Sequence, residues 1–156
     1  MSIKRTVIAA ALVAAVAGPV AAQDYGLSPN YGGRSLSAGF TPDPVIVNLQ
    51  AGGDRSASNV ASSCRGYVSN APDFRLNYSS GSFPLIISVA SSADTTLVVN
   101  GPDGRWYCDD DGGVNALNPA IRFNNPQSGQ YDIWLGTYSS GSLASAALHI
   151  SEVSSQ

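Results

Sequence analysis

Short apolar runs separated by turn-forming residues are the feature that most limits what this 156-residue chain can fold into. After residue 43, runs of about four to eight residues, rich in Val, Ile, Leu, Phe and Tyr, alternate with clusters of Gly, Pro, Asn and Ser. This punctuation is typical of antiparallel β-sandwiches and barrels. After residue 22, no window shows sustained helical spacing of apolar residues. The pattern therefore predicts an all-β fold, an antiparallel β-sandwich of about eight strands.

The first residues predict export. Lys4 and Arg5 precede an apolar run at 6–17, and Gly18-Pro19 then breaks it before small residues that suit cleavage ahead of Gln23. A membrane anchor is the alternative, but the apolar run is short for a span. No cysteine follows the cleavage site, so the sequence does not predict a lipoprotein. Residues 1–22 are predicted to be a secretory signal peptide.

The remaining chain is predicted to be one domain. Residues 23–43 are rich in Gly, Ser, Pro, Tyr and Asn, which predicts a flexible N-terminal segment with little regular structure. Residues 44–156 then form the sandwich. After residue 22 the chain has six arginines and eleven acidic residues, and the basic residues do not cluster. This charge argues against nucleic acid and against anionic membrane surfaces as partners.

Two cysteines, Cys64 and Cys108, predict one disulfide, because an exported protein with a single pair usually oxidises it. Closing a loop of roughly 45 residues contributes about 4 kcal/mol in the chain-entropy model. A metal site is the competing interpretation, but no second cysteine pair or nearby histidine supports it.

Three consecutive aspartates, Asp109, Asp110 and Asp111, follow Cys108 on a glycine-rich loop. Like charges this close repel unless water, arginine or a cation compensates. Calcium takes six to eight oxygen ligands from a flexible loop, and we predict such a site here. The predicted ligands are Asp94, Asp109, Asp110, Asp111, Asn115 and Asp132. The alternative is a solvated acidic turn partly neutralised by Arg105 or Arg122.

Alternation along the predicted strand at 131–138 separates two faces. Tyr131, Ile133 and Leu135 share the inward face, whereas Trp134 and Tyr138 share the other with Asp132. If that second face is exposed, it suits stacking on a sugar ring or a peptide, and we predict Trp134, Tyr138 and Trp106 as ligand-binding residues. The alternative is that a loop covers Trp134 and makes a second small core.

Nothing in the sequence predicts catalysis. His149 is the sole histidine and is predicted to point outward from the last strand, and no Gly-x-Ser-x-Gly elbow accompanies it. The acidic loop could supply a carboxylate pair for glycoside hydrolysis, but the sequence does not distinguish such a pair from calcium ligands. The chain is predicted not to be an enzyme, with a small hydrolase left open.

Several short motifs resemble the bacterial pre-peptidase C-terminal domain. They are Asp94-Thr95-Thr96-Leu97, Pro102-Asp103-Gly104, Cys108-Asp109-Asp110-Asp111-Gly112-Gly113 and Gly129-Gln130-Tyr131-Asp132-Ile133-Trp134-Leu135. The resemblance covers about residues 83–151. It implies a jelly-roll-like β-sandwich that accompanies secreted enzymes, especially peptidases, as a non-catalytic module, with calcium or substrate polymers as ligands of some relatives.

Together these observations predict an exported, calcium-stabilised β-sandwich module, periplasmic or extracellular. Its predicted role is non-catalytic binding of an extracellular polymer, either polysaccharide or protein, or adhesion. One alternative is a structural envelope or matrix protein without metal or ligand. Another is a small secreted hydrolase or peptidase accessory.

Overall fold

The structure, a computed structural model, describes residues 23–156. The predicted signal peptide, residues 1–22, lies outside the described residues. Residues 23–156 form eleven strands and one short 3₁₀ helix, Ala57–Asn59. The strands are β1 (Gly33–Ser37), β2 (Val45–Ala51), β3 (Arg55–Ser56), β4 (Tyr67–Val68), β5 (Phe74–Ser79), β6 (Leu85–Ser91), β7 (Thr95–Asn100), β8 (Trp106–Asp109), β9 (Ala120–Phe123), β10 (Gly129–Thr137) and β11 (Ala144–Ser151). The all-β prediction is confirmed. In this part of the chain, no helix has the length and apolar character needed to cross a membrane.

The strands form two packed sheets, one of seven strands and one of four. In the seven-stranded sheet, called the large sheet below, β10 is central: it pairs with β7 on one side and with β5 and then β4 on the other. The large sheet continues from β7 to β8, from β5 to β1 and from β4 to β3. The small sheet has the order β2-β11-β6-β9. Among the described strands, only β1 and β5 pair in parallel.

The main core lies between the sheets and comes from alternate residues of each strand. On β10, Tyr131, Ile133 and Leu135 face inward and are buried, as the alternation predicts. The small sheet supplies the opposing layer of inward side chains: Leu85, Ile87, Val89, Ala146, Leu148 and Ile150. Each aliphatic or aromatic side chain buried this way contributes ~1.5–3 kcal/mol. This core is what holds the two sheets face to face.

A second, smaller apolar cluster lies on the outer face of the large sheet. There, residues 53–66 fold across β7 and β10, and Ala57 and Cys64 pack on Val98 and Trp134. The disulfide Cys64–Cys108, with a Cα–Cα distance of 5.3 Å, ties this covering loop to β8. The predicted disulfide is thus confirmed.

The covering loop can close because its last residue is glycine. Gly66 has φ of +80°, and a Cβ at that position would lie 2.5 Å from Thr96 Cγ2 and 2.7 Å from the Thr137 carbonyl oxygen. Any other residue would push the loop away from the sheet. The backbone at 66 therefore sets how closely the loop covers the outer face.

The segment 23–43 is more regular than predicted. Gly33–Ser37 forms β1, which pairs with β5 from Gly33 opposite Arg75 to Ser37 opposite Ser79. The strand is mostly exposed and shows no apolar alternation, with Leu36 packed against the core. Its stability comes from the backbone hydrogen bonds that it makes at the edge of an existing sheet, which side-chain patterning does not reveal.

Candidate functional site

Four neighbouring strands place a row of side chains across the outer face of the large sheet. Asp132 of β10 lies opposite Arg75 of β5 on one side and opposite Asn100 of β7 on the other. All three alternate with core residues, so their side chains leave the sheet on its outer face. Trp106 of β8 pairs with Asn100 and completes the row.

Asp132 is buried, and both of its carboxylate oxygens accept hydrogen bonds. Arg75 Nε donates to Oδ1 at 2.6 Å, and Gln130 Nε2 donates to Oδ2 at 2.7 Å. The Asp132 side chain is 3% exposed and that of Arg75 is 22% exposed. A carboxylate this deep needs such partners, because an unpaired buried charge costs several kcal/mol. Its negative charge is offset by Arg75.

The same arginine holds the N-terminal arm, residues 23–32, against the large sheet. Arg75 Nη2 donates to the carbonyl oxygens of Tyr25 at 2.6 Å and Leu27 at 3.1 Å. Ahead of them, Gln23 Nε2 donates to the Ser56 carbonyl oxygen at 3.3 Å. Arg75 therefore fixes both the carboxylate on the sheet and the arm that crosses it.

Asp73 anchors the far end of the arm. Its Oδ1 accepts from Asn30 Nδ2 at 3.0 Å, and its backbone carbonyl accepts from Tyr31 N at 2.8 Å. Its Oδ2 accepts from Leu135 N at 2.8 Å, which links the arm to β10. Burial raises the pKa of the Asp73 carboxyl to about 6, although these hydrogen bonds and one from Ser69 act to lower it.

Tyr25 is positioned by this arm as an exposed aromatic surface. Its side chain is 55% exposed, while its ring lies 6.4 Å from that of Trp106 at an interplanar angle of 57°. Trp106 in turn lies 5.3 Å from the buried ring of Trp134. The exposed ring thus rests on a column of two further aromatic rings that reaches down to the sheet.

A cleft of about 400 Å³ opens between Tyr25 and two tight turns. Its lining, which defines the cleft below, consists of Tyr25, residues 100–102, Gly104, residues 128–130 and Asp132. Both turns need glycine, because Gly104 has φ of +73° and Gly129 has φ of +142°. A Cβ on Gly129 would also lie only 2.7 Å from Pro102 Cβ. A pocket of this volume falls within the usual range for small-ligand sites.

The acidic loop is a separate feature, and it does not contain Asp132. Asp109 of β8 lies opposite Leu97 of β7, whereas Asp132 of β10 lies opposite Asn100 on the other side of β7. Leu97 and Asn100 are three residues apart, which is roughly 10 Å along β7 at ~3.3 Å per residue. The predicted calcium ligand set is corrected in this respect, because Asp132 is held by Arg75 instead. The sequence could not show this, since the partner is 57 residues away.

The other predicted calcium ligands lie near one another but do not converge. Asp109 Oδ2 accepts from Gly112 N at 2.7 Å and from Ala120 N at 2.9 Å, so it closes its own turn. Burial raises the pKa of Asp110, and the charges of Asp111, Asp109 and Asp94 add to that effect. Asn115 is exposed. Within residues 23–156, no three His, Cys, Asp or Glu side chains are arranged to hold one metal ion.

The predicted aromatic strip is not formed. Trp134 is fully buried beneath the covering loop, as in the alternative interpretation, so it cannot stack on a ligand. Tyr138 is 47% exposed but lies beyond the end of β10. Trp106 is half-buried and supports Tyr25 next to the cleft.

His149 lies on the outer face of the small sheet, as predicted, but its side chain is buried there. It is 8% exposed, between Ile46 on β2 and Ser88 on β6. Gln156 N donates to Ser88 Oγ, so the last residues of the chain lie against this face. Burial lowers the pKa of His149, which favours the neutral imidazole. The cleft is on the other sheet.

Most residues of the cleft are not evident from the sequence. It predicts a flexible segment around Tyr25, and it marks neither Asn100 nor Gln130 as a binding residue. The available signal was Gly129-Gln130-Tyr131-Asp132, where two polar residues alternate with one core residue on a strand. This spacing places Gln130 and Asp132 side by side on one face.

Comparison with known proteins gives little further information. No family model matches the chain, and no curated protein matches it. Among solved structures, the chain is similar to PliG of Aeromonas hydrophila, a periplasmic lysozyme inhibitor of g-type lysozyme. The two share 14% sequence identity, the match covers 77% of this chain and 96% of that chain, and the TM-score is 0.36. A similarity this weak does not transfer a function. The resemblance to the pre-peptidase C-terminal domain stays a prediction.

Proposed function

We propose that this protein is an exported, non-catalytic binding protein that takes an extracellular polymer into the cleft. The observation that carries the proposal is an exposed ring beside a polar floor in which the buried Asp132 is paired and the exposed Gln130 keeps hydrogen-bonding groups free. Tyr25 is 55% exposed although Arg75 and Trp106 hold it in place, and the polar groups of Asp132 and Gln130 lie in the same cleft. A positioned aromatic ring beside a few oriented polar groups is typical of a ligand site.

Export is supported by the disulfide and by the N-terminal sequence. The Cys64–Cys108 bond is formed, and disulfides persist in oxidising compartments. The signal-like residues 1–22 agree with a periplasmic or extracellular protein.

The non-catalytic part of the proposal rests on how the carboxylates are used. In the cleft, the buried Asp132 carboxylate accepts hydrogen bonds from Arg75 and Gln130, so both of its oxygens have partners within the protein. Asp73 has a raised pKa, but its oxygens bind Asn30, Ser69 and Leu135 and it is 2% exposed. Both carboxylates therefore bind structural partners, whereas a reaction would need a carboxylate that is accessible to a substrate.

Calcium is proposed only as a stabiliser of the acidic loop. Crowding of Asp109, Asp110 and Asp111 supports it, since a bound cation would relieve their repulsion. The fit is incomplete: Asp109 is committed to its own turn, and the remaining carboxylates would have to move together to share an ion. The binding function does not depend on this cation.

An array that carries both oligosaccharides and peptides tests the function with two glutamine variants. Gln130→Ala removes an exposed cleft residue, and Gln50→Ala removes an exposed glutamine of the small sheet. We expect wild type and Gln50→Ala to bind the same probes, and Gln130→Ala to bind them at least fivefold more weakly. Equal binding by all three proteins would exclude the cleft, and no binding to any probe would exclude the function.

A further inference from the structure

We propose that the ligand of the cleft is a neutral saccharide, with one sugar ring stacked on Tyr25. This inference rests on the proposed function and narrows its ligand class from polymers in general to uncharged sugars. Three properties of the cleft carry it: its charge, its hydrogen-bonding capacity and its aromatic wall.

The lining carries no net charge to attract an ion. Among the described residues that line it, Asp132 is the one ionised side chain, and Arg75 offsets its charge at 2.6 Å. Arg105, the nearest cation in sequence to the turn at 101–104, is 80% exposed and paired with Asp103 at 3.8 Å, and neither lines the cleft. A uronate, sulfate or phosphate group would find no matching cation in this lining. An uncharged ligand avoids that desolvation cost.

The polar groups of the lining suit hydroxyl groups. Asn100 Nδ2 donates to the Arg105 carbonyl oxygen at 3.3 Å, and Oδ1 of the same amide accepts no hydrogen bond from residues 23–156. Gln130 uses one Nε2 hydrogen on Asp132, which leaves its Oε1 and its second N–H for a ligand. Sugar hydroxyls both donate and accept, so one ring can satisfy all of these groups.

Tyr25 supplies the flat surface that the apolar face of a sugar ring requires. The ring is held from below by Trp106 at 6.4 Å and through its backbone by Arg75, so little conformational entropy is lost when a ligand stacks on it. The volume of about 400 Å³ corresponds to ~13 water molecules at ~30 Å³ each, enough for one or two sugar rings.

An extended peptide fits this cleft less well. Peptides that add to a sheet need an open strand edge with unpaired N–H and C=O groups. The cleft lies on the face of the large sheet, where β10 is paired on both sides by β5 and β7. Its walls are turns, which do not present a row of backbone groups.

Three tyrosine substitutions test the inference by titration and on an array. Tyr25→Ala removes the stacking surface, Tyr25→Phe keeps it, and Tyr138→Ala removes a similarly exposed tyrosine outside the cleft. The probes are neutral cello-, malto- and chito-oligosaccharides, uronate and sulfated oligosaccharides, and a peptide set. Tryptophan fluorescence follows binding, because Trp106 contacts Tyr25. Melting curves confirm that each variant is folded.

We expect binding to at least one neutral oligosaccharide, about tenfold weaker in Tyr25→Ala and within twofold of wild type in Tyr25→Phe and Tyr138→Ala. Binding to peptides alone, or to acidic oligosaccharides alone, with loss in Tyr25→Ala would overturn the saccharide inference and leave the proposed function standing. Neutral saccharide binding that is unchanged in Tyr25→Ala would overturn the stacked geometry. No binding to any probe would overturn both proposals.

Discussion

The disulfide is the feature whose energetic contribution can be worked out most directly. Cys64 and Cys108 are separated by 44 residues, and a loop of that length gives an unfolded-state entropy loss worth about 4 kcal/mol at 25 °C. Unfolding entropy near ~2.1 cal/mol/K per residue, over about 130 residues, is ~0.27 kcal/mol/K. Replacing both cysteines by alanine is therefore expected to lower the melting temperature by about 15 °C.

The assay is urea and thermal unfolding of the double variant, with wild type in strong reductant as the matched control. Both should lose about 4 kcal/mol, because each lacks the same cross-link. At 25 °C the emission of the buried Trp134 should stay native-like, since Ala57 and Val68 pack on it without the bond. A loss below about 1 kcal/mol would refute the chain-entropy reasoning. A red-shifted native emission would show that the bond, rather than packing, keeps the covering loop on the sheet.

Three further predictions concern charges. Burial raises the pKa of the Asp73 carboxyl from 3.8 to about 6, so the contribution of this group to folding stability is complete below pH ~4 and is lost as the pH rises through about 6. Relative to Asp73→Asn, wild type should therefore lose ~3 kcal/mol of unfolding free energy between about pH 4 and pH 7 in urea unfolding. A stability difference that does not change with pH would disprove the raised pKa. Arg75→Ala should cost ~3–5 kcal/mol by leaving the buried Asp132 unpaired, whereas the exposed Arg105→Ala should cost less than about 1 kcal/mol; similar losses would count against a buried pair. Millimolar calcium should raise the melting temperature of wild type but not of Asp110→Asn. Identical melting temperatures of wild type with calcium and with chelator would disprove calcium binding by the acidic loop.

The sequence predicts the sandwich well because its strands carry strong local signals. In β10, alternation alone assigns Tyr131, Ile133 and Leu135 to the core, and all three are buried there. β1 lacks such a signal, because its five residues are mostly polar and exposed and are ordered by backbone pairing to β5. Edge strands of this kind depend on a neighbouring strand that local patterning does not identify.

The candidate site is harder to predict because it depends on contacts between distant segments. Tyr25 reaches the cleft only because Arg75, 50 residues later, binds its carbonyl oxygen. Alternation correctly puts Trp134 on the outer face, yet the mostly polar loop at 53–66 covers it by packing Ala57 and Cys64 against the ring. The sequence thus identifies the correct face of β10 but assigns the exposed ring to the wrong aromatic residue.

We propose that the ligand binds in the cleft beside Tyr25, and amide chemical-shift mapping can locate the bound ligand residue by residue. The protein, labelled with nitrogen-15, is titrated with a neutral oligosaccharide that binds on the array. We expect the largest shifts on four residues that line the cleft, Gly101, Gly104, Gly129 and Gln130. Shifts confined to the acidic loop at 109–118, or to the outer face of the small sheet, would contradict it.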